Sequence, residues 1–172
     1  MPVASFGDVD ITLGVQVHLH QLADMLTSLA GQRVVDKLIT GNSISIWLGV
    51  PSDSADARGI WIEPYWRIEG LQGVESSCDH FPGEPEKDES KQDYRARFDA
   101  SCARSNCLKG LVLETIDVDF HLGDIALRFE GGRTLRSFTT ETDWENWHYE
   151  DHRVGRKYRV SGTIVTSEAA DA

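Results

Sequence analysis

From Val9 to Leu19 apolar and polar positions alternate without a break. Val9, Ile11, Leu13, Val15, Val17 and Leu19 share one face, and Asp10, Thr12, Gly14, Gln16 and His18 share the other. A period of two sustained over this stretch predicts a long, half-buried strand. The period then lengthens. Leu22, Met25, Leu26 and Leu29 fit one helical face, and Gly31 stands where a C-terminal cap belongs, so a helix is expected over about 20–30.

Beyond Gly31 the pattern is β-rich. Val34 to Ile39 reads as a strand, Gly41-Asn42 as a tight turn, and Ile44, Ile46 and Leu48 as the inward face of the next strand. A polar loop over 51–58 precedes the Trp- and Ile-rich stretch Gly59 to Ile68. Further strands are expected at about 111–121, 123–129, 133–139 and 156–165. Ile116, Val118 and Phe120 share a face there, as do Ile125, Leu127 and Phe129, and Glu130-Gly131-Gly132-Arg133 signals a hairpin. The polar connection over 81–107 carries a mixed-charge run too hydrophilic to form core, with a short helix expected at about 92–104.

The halves also resemble each other. Leu29-x-Gly31 matches Leu108-x-Gly110, and at the same offset Ile39 meets Val118, Ile46 meets Ile125 and Leu48 meets Leu127. A gap at the 51–58 loop brings Gly59 onto Gly132, Ile62 onto Leu135 and Tyr65 onto Phe138. The expected architecture is therefore α+β and mainly β. One domain over 1–172 contains an internal repeat, 29–68 and 108–149, whose two antiparallel β-units form one sandwich or barrel-like core with an N-terminal helix.

Composition narrows the function classes. Lys and Arg number 17 against 28 Asp and Glu, a formal charge of −11. Such a surplus disfavours nucleic acid and anionic lipid, both of which reward positive charge. No stretch approaches the roughly 18 apolar residues of a membrane span, and Met1 to Asp8 lacks the features of a secretion signal. A cytoplasmic protein with reduced thiols is the expectation.

One further pattern is a resemblance. Trp61-Ile62-Glu63-Pro64-Tyr65-Trp66-Arg67-Ile68 followed by Ser76-Ser77-Cys78-Asp79, and Gly123-Asp124-Ile125-Ala126-Leu127-Arg128-Phe129 with Gly132, Leu135 and Glu145-Asn146-Trp147, resemble two motifs of certain small bacterial proteins of unknown function. Those motifs are a Pro-Trp-Arg…Ser-x-Asp half and a Gly-Asp-Leu-x-Leu-x-Phe…Glu-x-Trp half. This chain departs from them by inserting Tyr65 between Pro64 and Trp66. The resemblance implies a β-rich bacterial cytoplasmic protein, and some such proteins resemble immunity proteins.

Candidate chemistry is sparse. There is no Gly-x-Ser-x-Gly elbow, phosphate-cradling glycine loop, His-Glu-x-x-His or Rossmann fingerprint, so no enzyme is expected and no cofactor is implied. Cys78, His80, Cys102 and Cys107 are weak candidate zinc ligands, because neither cysteine pair is a Cys-x-x-Cys. His18 and His20, on one face of the first strand with Asp10, are a weaker metal pair. The five tryptophans are expected in the core with Tyr65 and Phe138, although Trp47, Trp61 and Trp66 could instead line a pocket.

The segment from Glu141 to Asp151 is the most unusual. It crowds five acidic residues and three large aromatics into one stretch without a Lys or Arg. Either Trp144 and Trp147 cap the core from a helix or strand, or the segment binds a partner. Aromatic anchors ringed by carboxylates suit a basic protein, which makes Asp143, Trp144, Glu145, Trp147 and Glu150 the expected partner-binding surface. The leading expectation is a non-enzymatic acidic protein-binding module, immunity-like. The alternative is a small-ligand or metal-binding domain. A homodimer through an exposed long strand also fits the pattern.

Overall fold

The structure is a computed structural model and describes residues 17–141 and 143–170. Most of the strand expected over 9–19 lies outside these residues. Within them the chain turns helical earlier than the alternation suggests. His18 is the N-cap of α1 (Leu19–Leu26), its backbone N–H donating to Gln21 Oε1 at 3.0 Å. A 3-10 turn, Thr27–Leu29, continues α1. Leu19, Leu22, Leu26 and Leu29 recur at helical spacing and are all buried, which is what holds the helix on the sheets. His20 is exposed on α1 and stacks on Phe120 at 3.8 Å. The two histidines therefore do not share a strand face.

Eleven strands follow among the described residues: β1 (Val34–Thr40), β2 (Ser43–Leu48), β3 (Arg58–Ile62), β4 (Trp66–Gly70), β5 (Gly73–Ser77), β6 (Leu113–Val118), β7 (Ile125–Phe129), β8 (Arg133–Ser137), β9 (Trp147–Asp151), β10 (Arg156–Ser161) and β11 (Ile164–Ala169). They form two antiparallel sheets, ordered β1-β2-β3-β9-β10-β11 and β5-β4-β8-β7-β6. The chain is thus mainly β with an N-terminal helix. Ile44, Ile46, Ile60, Ile62, Trp147 and Val160 of the larger sheet and Trp66, Ile68, Leu127, Phe129 and Leu135 of the smaller belong to one buried cluster.

Three elements depart from expectation. The Gly59–Ile68 stretch is two strands in different sheets, interrupted at Glu63–Tyr65, where Pro64 supplies no ladder donor. The stretch over 156–165 is a hairpin turned at Gly162, which adopts φ +55°. Phe120 lies beyond β6 and is 42% exposed rather than sharing the face of Ile116 and Val118. Helix α2 (Lys91–Arg104) occupies the polar connection with no buried residue, capped by Ser90 Oγ accepting from the Asp93 N–H.

The two sheets meet through a reciprocal set of bonds. The Gly31 N–H donates to the Leu113 carbonyl (2.8 Å) and the Gly110 N–H to that of Val34 (2.9 Å). Val34 N–H donates to Leu111 (2.9 Å) and Leu113 N–H to Gln32 (2.8 Å), about a central Arg33–Val112 bridge. Gly31 and Gly110 both adopt φ +81°, open to glycine without strain. The ladders break register at matching places, Val34/Asp36 and Leu113/Thr115. Ladder position then equates Ile46 with Leu127 and Ile60 with Leu135, since Lys37 faces Ile46 as Ile116 faces Leu127. That is two residues away from the sequence alignment. A slip of two keeps every side chain on its face, so the hydrophobic pattern could not detect it.

Candidate functional site

In the larger sheet, alternate residues of β2, β3, β9 and β10 supply the core. The intervening ones decorate the other face. Cross-strand register sets Trp61 opposite His148 and Gly59 opposite Glu150. Across the next ladder Arg159 faces His148 and Lys157 faces Glu150. Glu168 of β11 then faces Lys157. Gly59 is required by its neighbour, because a Cβ there would lie 2.6 Å from the Trp47 indole.

Above this face opens a cleft of about 660 Å³. Its floor is Trp61, His148, Glu150, Lys157 and Arg159. Glu63 and Pro64 form one wall, and Thr140, Glu141, Trp144, Glu145 and Asn146 the other. The second wall is anchored at both ends. Asp124 Oδ1 accepts from the Thr139 N–H (2.5 Å) and hydroxyl (2.8 Å). At the far end Asn146 donates its N–H to Val160, accepts the Glu63 N–H on its carbonyl, and accepts the Gly162 N–H on Oδ1 at 2.8 Å.

The floor is an alternating chain of charges. Glu168 accepts from Arg159 Nε at 2.7 Å, and Arg159 Nη1 reaches Glu145 at 2.5 Å. Glu145 contacts His148 Nδ1, while His148 Nε2 lies 3.1 Å from Glu150. Glu150 in turn meets Lys157 Nζ at 3.3 Å. His148, 5% exposed, thus has a carboxylate on each ring nitrogen and the Trp61 ring stacked on it at 5.7 Å. Burial would lower its pKa, but the hydrogen bonds to Glu145 and Glu150 outweigh burial and hold it above the ordinary imidazole value. The His148 hydrogen bond, with Lys157 adding to it, depresses the Glu150 carboxyl to about 2. Glu145 is also lowered: burial opposes the shift, and His148 and Arg159 overcome it. Glu63 accepts from Trp61 Nε1 at 2.8 Å and from the Ser43 hydroxyl.

The expected contact residues separate by role. Asp143 is exposed and Trp144 is 72% exposed at the rim, whereas Glu145 and Glu150 are half-buried in the cleft. Trp147 is not a surface residue: it is 0% exposed, with Nε1 donating to the Gly123 carbonyl at 2.7 Å. In β9 the odd positions Trp147 and Tyr149 join the core and the even positions His148 and Glu150 face the cleft. Of the tryptophans, only Trp66 and Trp147 are fully buried. Tyr65, expected in the core, is 51% exposed. Trp61 lines the cleft, Trp47 lines a small void beside it, and Trp66 lies in the core, donating to Asn42, so these three do not form one pocket.

His148, Lys157 and Arg159 carried no sequence motif. Their one signal was position, as the polar alternates of apolar strands. The cysteine cluster does not assemble. Among the described residues no group of three or more His, Cys, Asp or Glu is placed to hold a metal ion. Burial raises the pKa of all three thiols, that of Cys107 to about 11. No helix among the described residues is long and apolar enough to cross a membrane. Comparison with family models, with curated proteins and with solved structures found no match.

Proposed function

We propose that this chain is a non-enzymatic, acidic protein-binding module, immunity-like and cytoplasmic, whose cleft engages a basic protein. The observation that carries the reading is the Trp144 indole, 72% exposed at the rim of a cleft that also displays Glu63, Glu141, Glu145 and Glu150. A large rigid aromatic at the mouth of a cleft is the kind of side chain that dominates interface energetics. The four glutamates outnumber Lys157, Arg159 and the His148 imidazolium, which are already paired, so the cleft retains negative charge. That charge steers a cationic surface and speeds its association.

A basic protein captured from the native host would be measured by surface plasmon resonance against Trp144→Ala and Glu141→Lys, with Leu71→Ala as control. Leu71 is 87% exposed in the β4–β5 turn, on the other sheet. Losing a central aromatic anchor costs about 2 kcal/mol or more, roughly a 30-fold weaker Kd. Glu141→Lys should slow association, and the wild-type rate should fall with salt. Undiminished binding by both cleft variants would refute the assignment. A second reading, small-ligand binding, is favoured by the cleft's size, within the roughly 300–1,000 Å³ of ligand sites.

For the fold, the reciprocal Gly31/Gly110 bonds and the matching register breaks support a sandwich built from two copies of one helical-turn-plus-three-strand unit.

A further inference from the structure

We infer that the cleft binds one organic cation, the guanidinium or ammonium head of a basic side chain, and takes it up in exchange for the proton of His148. The inference rests on the reading of this cleft as the contact site and names what it recognises.

The floor chain Glu168–Arg159–Glu145–His148–Glu150–Lys157 alternates in sign throughout only while His148 is an imidazolium. A neutral imidazole has one N–H, yet carboxylates face both its nitrogens. Deprotonation therefore leaves one carboxylate against a lone pair and adds a net negative charge to the floor. Glu145 and Glu150 border the cleft with side chains 18% and 20% exposed, so an entering cation reaches their oxygens. The exchange balances: the cation enters, the His148 proton leaves to solvent, and the charge of the site is unchanged. The other charged or titratable groups around His148 are Lys157 and Arg159 of β10, Glu63 beyond β3, Glu141 on the far wall, Glu168 on Arg159, and His152, which lies 3.6 Å from Glu150.

A separate observation shows an unpartnered polar position beside the cleft. The Ser45 hydroxyl is 2% exposed and has no hydrogen-bond partner. It lines a void of about 10 Å³ that shares Trp61, His148 and Glu150 with the cleft. A buried unpaired hydroxyl beside a carboxylate is satisfied by one water, which a void of this size can just hold and which would link it to a ligand in the cleft. The indoles of Trp61 and Trp144 supply faces for a delocalised cation. A neutral ligand of the same shape brings no charge to replace the His148 proton, and so releases none.

The test titrates the full chain with Nα-acetyl-arginine amide, Nα-acetyl-lysine amide and the uncharged isostere Nα-acetyl-citrulline amide, following tryptophan fluorescence and calorimetry in buffers of different ionisation enthalpy. At least one cationic probe should bind ~10-fold or more tighter than citrulline and release up to one proton. Its affinity should rise by as much as about tenfold per pH unit from about pH 5.5 until His148 has titrated, and then level off. His148→Gln should abolish the proton release and the pH slope, and Glu150→Gln should weaken the cation ~10-fold. Equal binding of citrulline, absence of proton release on the wild type, or no cationic binding at millimolar probe would overturn the inference. If a captured partner nonetheless depends on Trp144, the module reading survives and this inference alone falls. A partner indifferent to Trp144→Ala and Glu141→Lys overturns the module reading.

Discussion

Trp147→Phe separates a core tryptophan from a contact tryptophan within the same aromatic, acidic segment. Trp147 is 0% exposed and its Nε1–H donates to the carbonyl of buried Gly123 at 2.7 Å. Phenylalanine keeps most of the ring and removes the donor. A buried carbonyl left without a partner costs about 1–3 kcal/mol. The missing ring atoms leave a void that adds about 1 kcal/mol. The total is roughly 2–4 kcal/mol, and at about 2–4 °C per kcal/mol for a chain of this size, Tm should fall by roughly 5–15 °C. Trp144→Phe, at a 72% exposed position, should stay within about 0.5 kcal/mol of wild type. Thermal unfolding followed by near-ultraviolet circular dichroism, with urea midpoints at unchanged m, provides the measurement. Should Trp147→Phe melt within about 2 °C of wild type, the buried hydrogen bond does not contribute as argued. Should it melt normally yet lose partner binding, Trp147 is a contact residue after all.

Stability should peak between about pH 4.5 and 6.5. His148, raised above 6.5 in the folded state, contributes fully below 6.5 and loses its contribution as pH climbs through the higher folded value. Glu150, held at about 2 against 4.5 unfolded, contributes above 4.5 and loses it as pH falls toward 2. After discounting for solvent screening, the acid limb should lower Tm by a few degrees, about 1 kcal/mol, and the alkaline limb should lower it too. His148→Gln should remove the alkaline limb and also shrink the acid one, because the His148 hydrogen bond is the largest cause of the low Glu150 value. Gly123→Ala should prevent normal folding or lower Tm more than any substitution above, because its Cβ would lie 1.6 Å from the Gly162 carbonyl oxygen at φ +78°. Gly41→Ala, at φ +60° with nothing within 4 Å of its Cβ, should cost only about 1–2 kcal/mol of backbone strain. Comparing their melts and soluble yields checks both.

Much of the strand content was legible because burial on one face writes a period of two into the chain. Ile44, Ile46 and Leu48, and likewise Ile125, Leu127 and Phe129, announce strands that the structure contains at those positions and buries on that face. Strand β9 was harder to read. Trp147 and Tyr149 point into the core, but Glu145 and Glu150 beside them leave the sequence pattern open between a core cap and a partner-binding surface. Strand β5 was missed because Gly73–Ser77 carries a single large apolar residue, Val74, which is itself exposed.

Local pattern therefore established the mainly β character, the helix after His18 and the acidic aromatic stretch, because each is a consequence of neighbours within one or two turns or along one strand. The pairing of β9 between β3 and β10 is not local. It sets Trp61, His148, Lys157 and Arg159, drawn from three separated segments, on one face. Only that long-range register turns scattered polar alternates into a cleft. It also decides that Trp144 stays in solvent while Trp147, three residues on, is enclosed. Sequence spacing carries the face a side chain occupies, and tertiary packing determines what that face meets.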